Sequence, residues 1–140
     1  MRGAAAVLAG TIALAACHSH SPPSIVVHGT ITVHPENDCR FAVEGHVRPV
    51  LLHTEVVFTD LATGRRYSSY TDPKSVHVSS NVCLQTARYS ISLPSAPRYR
   101  VQVEHYSAFG SRPVPVTVSV AELERRSFNL DLNADPATGE

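Results

Sequence analysis

The chain has 140 residues, with Lys+Arg and Asp+Glu equal at 12 each and 43% of its residues hydrophobic. That size supports one ordinary domain able to bury a useful core. Balanced charge gives no electrostatic case for nucleic acid, whose phosphates attract basic surfaces, and no basic patch to supplement membrane attachment.

In chain order, the first element is a targeting segment. Met1-Arg2 gives a short positive start, and Ala4–Ala16 is apolar apart from Gly10 and Thr11. The run falls well short of the ~20 residues of a membrane-crossing helix. Leu14-Ala15-Ala16-Cys17 resembles the lipobox of bacterial lipoproteins, a branched apolar residue and two small ones before a cysteine. The resemblance implies cleavage after residue 16 and a thioether from Cys17 to diacylglycerol. An ordinary secretory signal with an incidental Cys17 is the alternative. Two or more acyl chains hold a protein on a bilayer stably where one holds it marginally. The expected location is the bacterial cell envelope, outside the cytoplasm. His18 follows the cysteine, where an aspartate commonly retains such proteins at the inner membrane. The expectation is therefore the outer membrane in a Gram-negative cell and the outer face of the plasma membrane otherwise.

Residues 17–24 form the lipidated cysteine and a polar, Pro-containing tether. Fully extended at ~3.5 Å per residue, the tether reaches only about 25 Å, which keeps the domain near the membrane. With Cys17 lipidated, Cys39 and Cys83 remain as an even pair. An exported chain matures in an oxidising compartment, so a Cys39–Cys83 disulfide is expected, worth roughly 4 kcal/mol in the chain-entropy model. A metal thiolate pair or two free thiols are the alternatives.

From Ile25 onward the dominant period is two, the mark of half-buried strands. Ile25, Val27, Ile31 and Val33 share one face, with His28, Thr30, Thr32 and His34 on the other. Leu52, Val56 and Phe58 are expected on one inward face, and Ala62-Thr63-Gly64 suits a hairpin. Ala87, Tyr89, Ile91 and Leu93 alternate with polar residues, and Pro94-Ser95-Ala96-Pro97 suits a second hairpin before Tyr99, Val101 and Val103. His105 continues that inward phase. Pro115 should place the strand of Val114–Val120 at an edge, and Ala121–Arg126 could form one helical turn. Phe128, Leu130 and Leu132 alternate as a closing strand, and Ala134–Glu140 reads as a disordered tail. The expectation is an all-β protein with one antiparallel, seven-stranded-type β-sandwich over residues 25–133.

Val27-His-Gly29-Thr-Ile31-Thr-Val33, Tyr89-Ser-Ile91-Ser-Leu93-Pro94, Tyr99-Arg-Val101-Gln-Val103 and Phe128-Asn-Leu130-Asp-Leu132 resemble segments of carboxypeptidase regulatory-like domains. Pro49 and Thr54-Glu55-Val56 are similar to that family's second strand with altered spacing. The resemblance implies a transthyretin-like sandwich; an Ig-like sandwich is the alternative. The family's Asp-Gly before the hairpin tyrosine is replaced by a longer segment, Pro73–Thr86, that carries Cys83.

The search for chemistry finds no GxSxG, HExxH or Gly-rich phosphate loop, so the expectation is no catalytic residue and no cofactor. Asp131-Leu-Asn133-Ala-Asp135 lacks the glycine and closing glutamate of a calcium loop. Eight histidines make transition-metal binding the second functional reading. No metal site is assigned; His18 and His20 on the tether come nearest. His28 and His34 lie about 20 Å apart by strand rise and cannot share an ion. Tyr67, Tyr70, Tyr106 and Phe109 are candidate sugar-stacking rings, with Tyr67 and Tyr70 on opposite faces of one strand. The leading expectation is a non-catalytic module contacting an envelope protein or a cell-wall glycan, with the membrane reached through lipid on Cys17 and no nucleic-acid partner.

Overall fold

The computed structural model describes residues 23–34, 51–79, 84–105 and 113–133. Cys17, Cys39, Cys83, His18, His20, His46, Tyr106, Phe109 and the tail Ala134–Glu140 lie outside the described residues. The expected lipid anchor, disulfide and tether histidines therefore fall there too. Among the described residues, no helix is long and apolar enough to cross a membrane.

The strands form where the alternating sequence predicts half-buried faces. They are β1 (Ser24–Val33), β2 (Glu55–Asp60), β3 (Arg66–Tyr70), β4 (His77–Ser79), β5 (Leu84–Pro94), β6 (Arg98–Glu104), β7 (Val116–Ser119) and β8 (Leu132–Asn133). The short helix α1 spans Val120–Arg125, and a single 3-10 turn spans Pro73–Ser75. Two four-stranded sheets result, a first in the order β4-β5-β1-β8 and a second in the order β3-β2-β6-β7. The expected all-β sandwich is the fold. Its ladders are antiparallel except for β8, which runs parallel to β1.

The core is built from the inward phase of each strand. Val27, Ile31 and Val33 of β1 meet Ala87, Tyr89, Ile91 and Leu93 of β5, while Val56, Phe58, Tyr99, Val101 and Val103 face them from the second sheet. Phe58 links the layers: its ring lies 6.4 Å from Tyr89 of the first sheet and 6.0 Å, edge-on, from Tyr99 of its own. Such tilted pairs are worth about 1 kcal/mol beyond the area they bury. Tyr67 packs inward and edge-on to Tyr99, while Tyr70 points to solvent. The expected division of the two tyrosines between faces holds.

The β2–β3 hairpin is fixed by its own turn residues. Asp60 accepts from the Ala62 amide at 2.8 Å and the Thr63 hydroxyl at 2.6 Å, and Gly64 takes the left-handed φ of 71° that closes the loop. The Thr63 hydroxyl and then the Ala62 amide hold the Asp60 carboxyl below its ordinary range.

Three local expectations are corrected. Pro94–Pro97 is not a hairpin, because β5 and β6 belong to different sheets. Pro94 and Pro97 have no N–H to extend a ladder, so the chain turns a corner instead. The corner is pinned by Ser95, whose amide donates to the Pro23 carbonyl, and by Tyr99, whose hydroxyl donates to the Pro94 carbonyl. Leu52 is exposed and Leu51 is fully buried in its place. His53 has a left-handed φ of 60°, so the strand phase starts afresh at Glu55. His105 leaves the inward phase for the same reason, with φ at 52° and its side chain 70% exposed.

The edge strand β7 starts one residue after Pro115, as the missing N–H of proline requires. The expected turn at Ala121–Arg126 is α1. Ser119 caps it through the Glu122 amide, and Glu122 reaches back to the Ser119 amide, which holds the Glu122 carboxyl low. Ser127 and Phe128 then take left-handed φ values of 51° and 58° and send the chain back along β1.

Candidate functional site

The candidate site is a groove of about 540 Å³ on the outer face of the first sheet. Its floor is the outward phase of β1 and β5. The register sets His28 opposite Ser90 and Thr30 opposite Arg88, all four pointing away from the core. These are the polar positions of the alternating pattern, so the residues that keep the strands half-buried also furnish the floor.

One wall comes from the end of β3. Beyond the short β4, the edge of β5 is taken over by Tyr70–Ser75. Asp72 donates its amide to the Arg88 carbonyl at 2.8 Å, and the Ser75 hydroxyl accepts the Arg88 amide at 2.7 Å. The Ser69 hydroxyl donates to the Ser90 carbonyl at 2.7 Å. Asp72 also caps the 3-10 turn by accepting from the Lys74 amide at 3.0 Å. These bonds hold Tyr70 and Asp72 beside the floor, and Tyr70 remains 58% exposed at the rim.

The opposite wall is Asn129, carried by the segment between α1 and β8. That segment is laid on β1 by three bonds. His28 donates to the Phe128 carbonyl at 3.0 Å, Leu130 to the His28 carbonyl at 2.9 Å, and Thr30 to the Asp131 carboxylate at 2.9 Å. So close an approach demands a glycine underneath. A Cβ on Gly29 would lie 1.9 Å from the Leu130 carbonyl oxygen and 3.1 Å from the Tyr89 ring. Tyr89, directly across from Gly29, fills that space and donates its hydroxyl to the Leu130 carbonyl at 2.6 Å. Burial, with the charge of Asp131, pushes the Tyr89 hydroxyl's pKa well above the tyrosine range.

Within the described residues, the side chains of His28, Tyr70 and Arg88 make no hydrogen bond or ion pair. The groove thus presents a ring, a guanidinium and an imidazole to solvent, together with the amide of Asn129 and the carboxylate of Asp72. Pockets of ~300–1,000 Å³ with a few convergent polar groups are the usual form of small-ligand sites. Of the sugar-stacking candidates within the described residues, Tyr70 reaches the groove and Tyr67 packs in the core. His28, outward on its strand as expected, joins it; His34 does not line it. The sequence alone does not assemble Arg88, Asp72 and Asn129, because only the register and the β3–β5 contact bring them together.

A second constellation lies on the outer face of the second sheet. Glu55 is directly opposite Glu104 on β6 and opposite Tyr70 on β3. Arg66 grips both Glu104 oxygens at 2.6 and 2.7 Å, and the Gln102 amide also donates to Glu104. The Gln102 amide and then the Arg66 guanidinium hold the Glu104 carboxyl low. By register, this ion pair passes across β2 at Val57, which is 1% exposed although it lies outside the core cluster. His105 Nε2 stands 3.2 Å from the Glu55 carboxylate.

Comparison with known proteins finds no matching family model, no matching curated protein and no matching solved structure.

Proposed function

We propose that this protein is a non-catalytic, lipid-anchored binding module of the bacterial cell envelope that holds a cell-wall glycan in the Tyr70–Arg88 groove. The observation that carries the proposal is a groove of ligand size with an exposed ring at its rim and side chains without partners among the described residues. Sugar rings stack their C–H faces on aromatic rings, and their hydroxyls match the mixed donors and acceptors of Arg88, Asn129, Asp72 and Ser90. Arg88 also offers a fork-shaped partner for the carboxylates that cell-wall glycans carry. Lipidation at Cys17 would keep the domain within a short tether's reach of the membrane. The non-catalytic reading rests on the sequence, which carries no GxSxG, HExxH or Gly-rich phosphate loop.

In-cell photo-crosslinking from Ser90 and Thr30, with β4 position His77 as the outside control, tests the proposal. Glycan fragments captured from the groove positions and not from His77 are expected. Capture of one envelope protein in their place would replace the glycan with a protein partner. Equal, unspecific capture from all three positions would remove the groove as the binding site.

A further inference from the structure

We infer that Glu55, Glu104 and His105 form a binding site for a divalent transition metal, with zinc as its best-suited occupant. One ligand atom from each of the three residues lies within 4.8 Å of the other two, so a single ion can reach all three. The site is separate from the glycan groove and does not depend on it.

Charge and chemistry favour a cation here. Two carboxylates directly opposite each other across a ladder repel, and the fold keeps them together. Arg66 neutralises Glu104, while the Glu55 carboxylate, its side chain 13% exposed, is met among the described residues by the His105 imidazole. The Glu55 and Glu104 carboxylates and Arg66 together carry one net negative charge. An imidazole with carboxylate oxygens suits zinc, which takes nitrogen and oxygen ligands in a tetrahedral set. A cavity of about 380 Å³ borders two of the three residues, Glu104 and His105, and leaves space for water beside them.

His105 enters the site because its backbone turns left-handed at φ 52°, which takes its ring out of the core phase. The bond from Arg66 to Glu104 must loosen for Glu104 to ligate. Arg66 is 56% exposed, and an exposed ion pair contributes little stability, so the guanidinium can yield to a metal.

The test is a zinc titration of the untagged full chain in detergent, comparing wild type with His105→Ala, Glu55→Gln, Arg66→Ala and the control His77→Ala. One tight zinc equivalent is expected in the wild type and in His77→Ala. Loss of outer-shell partners typically weakens metal sites by about 10–100-fold, and loss of a ligand costs no less. His105→Ala and Glu55→Gln should therefore bind at least about tenfold more weakly. Arg66→Ala should bind more tightly, since a competitor for Glu104 is gone. His105 is exposed, so its alanine variant remains a fair test even if Glu55→Gln misfolds. Zinc affinity unchanged in His105→Ala would overturn the assignment and point to the tether histidines or another site. No zinc uptake by the wild type would overturn it as well.

Discussion

The outer faces of the two sheets handle their polar side chains in opposite ways. On the second sheet, Arg66, Glu104 and Gln102 bond one another across the strands and pass over Val57. On the first sheet, Arg88 and His28 find no partner among the described residues and line a concavity, and so does Tyr70, which reaches it from the end of β3 in the second sheet. Both faces follow the same period-two pattern. The difference comes from the neighbouring elements: Tyr70–Ser75 and Asn129 rise on either side of β1 and β5 and make a groove of what would otherwise be a flat strand pair. A polar face that bonds itself stabilises the fold modestly; one left unbonded in a groove is available to a ligand.

The largest way to break this contrast is to remove the Asn129 wall. Gly29→Ala places a Cβ against the Leu130 carbonyl, and neither backbone can yield without losing the β1–β8 ladder. A loss of about 3 kcal/mol or more is expected in urea unfolding. A loss under about 0.5 kcal/mol, the range of ordinary surface changes, would mean that the closing segment does not lie on β1 as described.

Next comes Tyr89→Phe, which deletes the donor to the buried Leu130 carbonyl while keeping the ring. A cost of about 1–3 kcal/mol is expected from leaving that acceptor unsatisfied. The same residue sets an alkaline limit. Burial raises Tyr89 above the usual tyrosine value and pushes Tyr99 up to about 12, so the unfolded chain loses these protons first. Stability should be fully present below pH ~10 and fall as pH rises beyond it. Thermal midpoints measured through that range check this, and a flat profile would contradict the burial of both hydroxyls.

Smaller still is the acid effect. Asp60, Glu104 and Glu122 are held below their ordinary values, so their contribution is present above the usual carboxylate range and fades as pH falls through the lowered values. Glu104 and Glu122 are partly exposed and Asp60 is buried in its own turn, and the three lie in separate places, so a gradual decline in thermal midpoint below pH ~4 is expected rather than a cooperative collapse. The smallest effect is that of Arg66→Ala on stability, and 1 M salt should abolish it, because an exposed pair is screened over ~3 Å at that ionic strength. Persistence in high salt would mean that the second face is stabilised by the packing of the Arg66 stem over Val57.

Much of this architecture is legible in the sequence because a half-buried strand writes its two faces into alternate residues. β1, β5 and β6 follow that rule along nearly their full lengths, and Asp60 with Gly64 announces the β2–β3 turn. The capping box of Ser119 and Glu122 is equally readable and marks the start of α1. The misplacements of Leu52 and His105 have one cause. Non-glycine residues at positive φ invert the strand phase, and no side-chain pattern marks His53 or His105 for it. The candidate sites depend on pairing register. Tyr70 and His28 are identifiable as outward residues, but that Arg88 sits beside Thr30, and Glu55 beside Glu104, is information only the sheets contain.

The most direct test of the glycan groove is co-sedimentation of the protein with purified peptidoglycan, comparing wild type with Tyr70→Ala and Arg88→Ala. Both side chains make no bond within the described fold, so the variants should unfold at the wild-type midpoint. Each should weaken binding by about tenfold, the loss of about 1.4 kcal/mol expected when an anchoring contact is truncated. Wild-type binding retained by both variants would contradict the placement of the glycan in this groove.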